Sequence, residues 1–152
     1  MCYDICTKEV SRVVQYLIHK YKTRDPFEIA RSLRIHTILE PLGVVRGYYH
    51  RILHQKFIHI NCDLTEREKL VVCAHELGHA VLHPEANTPF MRGNTLYSIN
   101  RFEREANYFA ADLLIDEGLF KEHPEFTSQQ LSSLLGFPEA LVQMKMDLLP
   151  CE

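Results

Sequence analysis

At 152 residues the chain is long enough to bury a core and short enough for one domain, taken as 1–152. A composition of 46 % apolar and 24 % charged residues is that of a globular protein and excludes disordered and fibrous classes. The net charge of −3 gives no general electrostatic reason to bind nucleic acid.

No apolar run approaches the length of a membrane span, and the first twenty residues are too polar for a signal peptide, so a cytoplasmic location and no membrane partner are expected. The charge is uneven: residues 1–60 hold ten Lys/Arg and five Asp/Glu (+5), the remainder seven and fifteen (−8). The five cysteines, Cys2, Cys6, Cys62, Cys73 and Cys151, show no CxxC spacing and read as reduced thiols.

Residues 7–22 predict a helix, with Val10, Val13, Val14, Leu17, Ile18 and Tyr21 at helical spacing. Asp25-Pro26 starts a short second helix, Asp25 as N-cap and Pro26 at its first position. From Thr37 to Cys62 the pattern changes to strands: Thr37–Glu40, Val44–Arg51 and Lys56–Asn61, the last two separated by a turn near Leu53-His54-Gln55. A small, mostly antiparallel three-stranded sheet is expected. The Lys56–Asn61 strand is a candidate edge for an extended substrate. His50, His54 and His59 read as exposed or cross-strand residues, because none has a partner at ligand spacing.

Residues 65–84 contain His75-Glu76-Leu77-Gly78-His79, an HExxH pattern. Residues four apart share a helix face, so His75 and His79 can present two imidazoles to one ion. Glu76, one residue round, can reach a water on that ion. Such nitrogen ligands suit Zn²⁺. Chance gives HExxH in roughly one shuffled chain in twenty, so its setting matters. Thr65 and Glu68 form a capping box, an apolar run follows, and Pro84 marks a stop. Gly78, mid-helix at a cost of roughly 1 kcal/mol relative to Ala, points to close approach of another backbone.

Residues 84–100 read as a loop, a candidate lid or substrate wall. A helix over 101–116 follows, then two short helices over 127–136 and 138–149. A tight zinc site needs a third ligand. The HExxHxxGxxH class is excluded, because Leu82 and Glu85 stand at its Gly and His positions. His83 lies about 12 Å along the axis from His75 at ~1.5 Å per residue; one ion cannot take both, and His83 is read as a helix-end residue or a hydrogen-bond donor behind the site. On the 101–116 helix, Glu103 falls about 60° from the centre of the apolar face and Glu105 about 100°. Glu103 therefore points inward. Glu105 shares a stripe with Asp112 and Asp116 and is read as solvated, a role behind the ligands being the alternative. Asn107 is a candidate for fixing an imidazole.

The string His-Glu-Leu-Gly-His-Ala-Val-Leu-His, with Phe-Glu-Arg-Glu-Ala-Asn-Tyr-Phe-Ala-Ala-Asp-Leu-Leu some twenty residues on, resembles the ImmA/IrrE family of zinc metallopeptidases. The likeness spans roughly residues 10–145, and E-x-x-A-N-x-F-A at Glu103, Ala106, Asn107, Phe109 and Ala110 is its most specific part. One departure is Leu114-Ile115-Asp116-Glu117, where the family often continues Leu-Leu-Met-Pro. The resemblance implies that the first glutamate of this string, Glu103, is a metal ligand. It also implies cleavage of a helix-turn-helix repressor that relieves repression.

The expectation is an α+β fold: the sheet packed on the HExxH helix and the Glu103 helix, with further N- and C-terminal helices. His75, His79 and Glu103 hold Zn²⁺, and Glu76 is the catalytic base of an endopeptidase. Tyr48, His59, Tyr97 and Tyr108 are unranked candidates for a further oxyanion donor. Residues 119–150 form a helical hairpin suited to substrate recognition. The alternatives are a non-catalytic metal-binding protein and a DNA-binding regulator. Ser132, Gly136 and Val142 sit at helix-turn-helix spacing, but residues 117–152 hold two Lys against six Asp/Glu, so direct nucleic-acid binding is disfavoured.

Overall fold

The computed structural model describes residues 5–87 and 99–150. Most of the expected 84–100 loop, Tyr97 within it, and the terminal Cys2 and Cys151 lie outside the described residues. Helix α1 (Ile5–Tyr21) buries Val10, Val14 and Leu17, one stripe at helical spacing. Helix α2 (Pro26–Ser32) starts as its sequence dictates: the Asp25 carboxylate accepts from the Phe27 N–H at 2.8 Å, and Pro26 occupies the first turn.

Three strands follow, β1 (Ile35–Glu40), β2 (Gly47–Ile52) and β3 (Gln55–Asn61). Leu53 and His54 both adopt left-handed φ (50° and 65°), which closes a two-residue hairpin between β2 and β3 without glycine. β2 runs antiparallel to β3, from Gly47 opposite Ile60 to Ile52 opposite Gln55. β1 lies on the other side of β3 and parallel to it, Ile35 opposite Lys56 through Glu40 opposite Asn61. The sheet is thus mixed, in the order β1-β3-β2, and not mostly antiparallel. β3 is its central strand, hydrogen-bonded on both sides, so it offers no free edge to a substrate; the edges are β1 and β2.

Helix α3 (Glu66–Leu82) opens with the Thr65/Glu68 capping box and buries Val72 to Gly78 except His75, together with His79 and Ala80. The inward sheet residues Tyr49, Ile58 and Ile60 are fully buried. Three contacts tie the sheet to α3 and its exit. Lys56 Nζ donates to the Ala80 carbonyl at 2.8 Å, the Tyr49 hydroxyl donates to the Pro84 carbonyl at 2.7 Å, and a methyl on Gly47 would strike Val72.

Helix α4 (Ile99–Leu114) packs against α3 and α1. Gly78 is the close-approach point: a methyl there would lie 3.1 Å from the Ala106 Cα. Short helices α5 (Gly118–Glu122), α6 (Ser128–Leu135) and α7 (Glu139–Leu148) complete the described chain. α6 carries its own capping box from Thr127 and Gln130 and ends at Gly136 with φ 72°. The turn to α7 meets the first turn of α3, where Arg67 lies over the Phe137 ring.

The polar stripe of α4 departs from its sequence reading. Asp112 is buried, its carboxylate 2.5 Å from Lys145 Nζ of α7, and both side chains are about 5 % exposed. Arg24 donates to the carbonyls of Asp112 and Leu113 and pairs with Asp116. Of the stripe, only Asp116 is solvated, with 62 % of its side chain exposed. Lys145 is also the single cation of α7, so that helix presents no basic face to a duplex. Cys62 and Cys73 are free thiols, and no helix among the described residues is long and apolar enough to cross a membrane.

Candidate metal centre

α3 and α4 meet where Gly78 removes a side chain, and that contact brings three donors together. His75 Nε2 lies 3.1 Å from one Glu103 oxygen, His79 Nε2 lies 3.2 Å from the other, and the two Nε2 atoms are 3.2 Å apart. Donors held about 2.0–2.1 Å from a tetrahedral ion sit about 3.3 Å from one another. The two Nε2 atoms stand at that spacing, and each also has its own Glu103 oxygen at it, so the group is close to the size a bound Zn²⁺ requires. Of the described His, Cys, Asp and Glu, only these residues form such a group. Burial is graded: His79 is sealed, while the side chains of His75 and Glu103 remain 19 % and 35 % exposed, leaving one side of the triangle open.

The electrostatics follow from the contacts. Hydrogen bonds from His75 and His79 hold the Glu103 carboxyl well below the usual carboxylate range. Burial lowers the His79 pKa, a penalty its Glu103 hydrogen bond only partly offsets. Burial also opposes charge on His75, but the Glu103 hydrogen bond, the Glu76 charge and a hydrogen bond with Asn107 outweigh it and raise its pKa. Asn107 thus contacts His75 from one turn beyond Glu103 on the same helix.

Glu76 is 4 % exposed and follows His75 on α3, about 100° round the helix. His83 is not part of the triangle; it lies behind His79, Nδ1 to Nδ1 at 3.4 Å. Glu105 is not solvated: it is 8 % exposed, contacts His83 Nε2 and accepts from Arg101 at 2.9 Å. Helical periodicity missed this pairing because the partner sits on another helix.

The described candidates for an oxyanion donor point elsewhere. Tyr48 and His59 stack at 4.5 Å on the sheet face opposite the buried Tyr49, Ile58 and Ile60, and His59 Nδ1 contacts Glu40 at 2.5 Å. His50 belongs to the same cluster, 4.8 Å from the His59 ring. Tyr108 lies about 140° round α4 from Glu103 and packs on the core.

An HExxH helix whose histidines meet a carboxylate from a later helix is the donor arrangement of one class of zinc-dependent peptidase. Sequence comparison gives the particular family. A family model described as the IrrE N-terminal-like domain (Peptidase_M78) matches residues 30–146. The chain is 41 % identical over 139 residues to "Uncharacterized immunity region protein 2" of Bacillus phage phi105, covering 90 % of this chain and 88 % of that one. It is 26 % identical over 146 residues to "Metallopeptidase ImmA" of Bacillus subtilis (strain 168), covering 92 % and 85 %. The chain belongs to the ImmA/IrrE family, a family of peptidases.

Proposed function

We propose that the chain is a zinc-dependent endopeptidase that cleaves a helix-turn-helix repressor and thereby relieves repression. The observation that carries this reading is the His75, His79 and Glu103 group, in which the two Nε2 atoms are 3.2 Å apart and each lies 3.1–3.2 Å from one of the two Glu103 oxygens, with one side open. When bound, the ion supplies a Lewis acid that acidifies a water and polarises the scissile carbonyl.

The chain's own residues do the rest. His75 and His79 offer neutral Nε2 lone pairs, and Glu103 offers a carboxylate whose depressed pKa keeps it ionised. Asn107 holds the His75 ring. Glu76, a buried carboxylate next to His75 in the chain, takes a proton from the attacking water and delivers it to the leaving amine. The whole chain acts as one domain, and α6–α7, anchored to α3 through Arg67 and Phe137, is the part suited to substrate recognition.

A repressor substrate fits the name of the phage relative, an immunity region protein, and a cytoplasmic protein would meet it there. The test is cleavage, by wild type and by Glu76→Gln, of a helix-turn-helix repressor taken from the genes that neighbour this one. The variant is expected to keep its zinc and lose cleavage by roughly 10²- to 10⁴-fold. Equal cleavage by the two proteins would overturn the mechanism.

A further inference from the structure

α3 and its C-cap carry three histidines at four-residue intervals, and only the first two meet Glu103. The third, His83, sits on the far side of His79 with its Nδ1 3.4 Å from the His79 Nδ1. The His83 Nε2 contacts a Glu105 oxygen, and the other Glu105 oxygen accepts from Arg101 Nε at 2.9 Å. His79, His83 and Glu105 are 0 %, 8 % and 8 % exposed, and the Phe102 ring lies 4.1 Å from the His83 ring. A polar chain this deep is costly to bury unless its members satisfy one another. The fold alone gives no reason for it, since apolar side chains would fill the same space.

Counting protons shows what the chain does. A neutral imidazole carries one N–H and one lone pair. Between His79 and His83 only one of the facing Nδ1 atoms can donate. If His83 donated through Nδ1, its Nε2 lone pair would face the Glu105 carboxylate, acceptor against acceptor. The carboxylate therefore fixes the direction. His83 holds its proton on Nε2 and gives it to Glu105. Its Nδ1 accepts, so His79 must carry its proton on Nδ1. The His79 Nε2 is then left as a lone pair 3.2 Å from both the His75 Nε2 and a Glu103 oxygen, an arrangement that a cation between them satisfies; without the cation, Glu103 competes for a proton on this nitrogen.

We propose that His83 and Glu105 are positioning residues that lock His79 into its ligating tautomer and orientation through a relay closed by Arg101. The inference rests on the metal-centre reading above. α4 thus supplies the centre twice: Glu103 reaches the triangle directly, and Glu105, two residues on, reaches it through His83. Partners of this kind behind a ligating histidine typically change metal affinity by roughly 10- to 100-fold.

The test begins with metal-free Glu103→Ala protein labelled with ¹⁵N-histidine, in which no carboxylate competes for a proton on the His79 Nε2 and long-range ¹H–¹⁵N spectra read each ring's tautomer. This protein is expected to show His79 as the Nδ1–H form and His83 as the Nε2–H form. Glu105→Gln keeps the shape but can donate as well as accept, so the direction is no longer imposed. His79 should then populate both tautomers in the Glu103→Ala background, and with Glu103 in place zinc affinity from chelator competition should fall roughly 10- to 100-fold. His83→Leu, which removes the acceptor and leaves a packable side chain, should do the same if Glu105→Gln fails to fold. A merely structural role would lower the melting temperature of these variants while leaving the His79 tautomer in place.

The proposal is overturned if His79 is the Nε2–H form in metal-free Glu103→Ala protein. It is equally overturned if the folded variants keep both the His79 Nδ1–H tautomer in that background and, with Glu103 in place, a zinc affinity within about twofold of wild type. Wild type that binds no zinc would instead defeat the metal-centre reading, while the tautomer spectra still judge the relay.

Discussion

Adding one methyl at Gly78 probes the joint on which the metal centre is built. The Cβ of Gly78→Ala would lie 3.1 Å from the Ala106 Cα and the Phe109 Cβ, and 3.2 Å from the Phe109 Cδ1, where ordinary contacts begin at 3.4 Å. Two effects oppose each other. Alanine is favoured over glycine inside a helix by about 1 kcal/mol. Overpacking a filled site costs about 1–3 kcal/mol. Ala106 presents backbone and Phe109 is fully buried, so neither can rotate aside and α4 must retreat by a few tenths of an ångström. The upper half of the steric range then applies, and the net loss is roughly 1 kcal/mol, or a melting temperature lower by about 2–4 °C for a chain of this size. Ala106 is one turn from Glu103, so the same retreat draws the carboxylate away from His75 and His79. Urea unfolding of metal-free protein and chelator competition for zinc measure the two effects. A variant more stable than wild type by the full helix propensity, with unaltered zinc affinity, would refute the close-approach account.

Two further perturbations test the frame around the site. Lys145→Met strands the Asp112 carboxylate in the core and should cost roughly 3–5 kcal/mol in urea unfolding, most of it recovered in Lys145→Met/Asp112→Leu; a loss below about 1 kcal/mol would mean the pair is solvated in solution. Burial pushes the Tyr49 hydroxyl up to about 12. The folded state therefore holds this proton more tightly than the unfolded state, whose ordinary value is about 10. The resulting stability is fully present below pH ~10 and lost as pH rises towards 12, about 2 pK units or roughly 3 kcal/mol. Tyr49→Phe should show a correspondingly smaller fall across that range, and an identical fall would contradict the assignment.

The elements themselves were legible where local chemistry decides. Asp25-Pro26 and Thr65/Glu68 set their helix starts by capping, and the inward stripe of α4 singled out Glu103. Pairings made across the fold were not. The parallel alignment of β1 with β3 depends on which side of the hairpin β1 joins, and no residue in β1 encodes that choice locally. Glu105 and Asp112 read as solvated because periodicity equates charge with exposure. Each is buried because a partner on another helix, His83 or Lys145, offsets its desolvation. For His83 the rise of the helix removes it as a ligand and leaves a donor behind the site as one reading, but names no partner, because Glu105 lies on another helix.

The central claim is that His75, His79 and Glu103 together hold one ion. Metal analysis of wild type, Glu76→Gln and Glu103→Ala, each purified and dialysed against trace zinc, tests it most directly. Stoichiometric zinc in the first two and almost none in the third is the predicted result. Wild type without zinc, or Glu103→Ala with as much zinc as wild type, would contradict it.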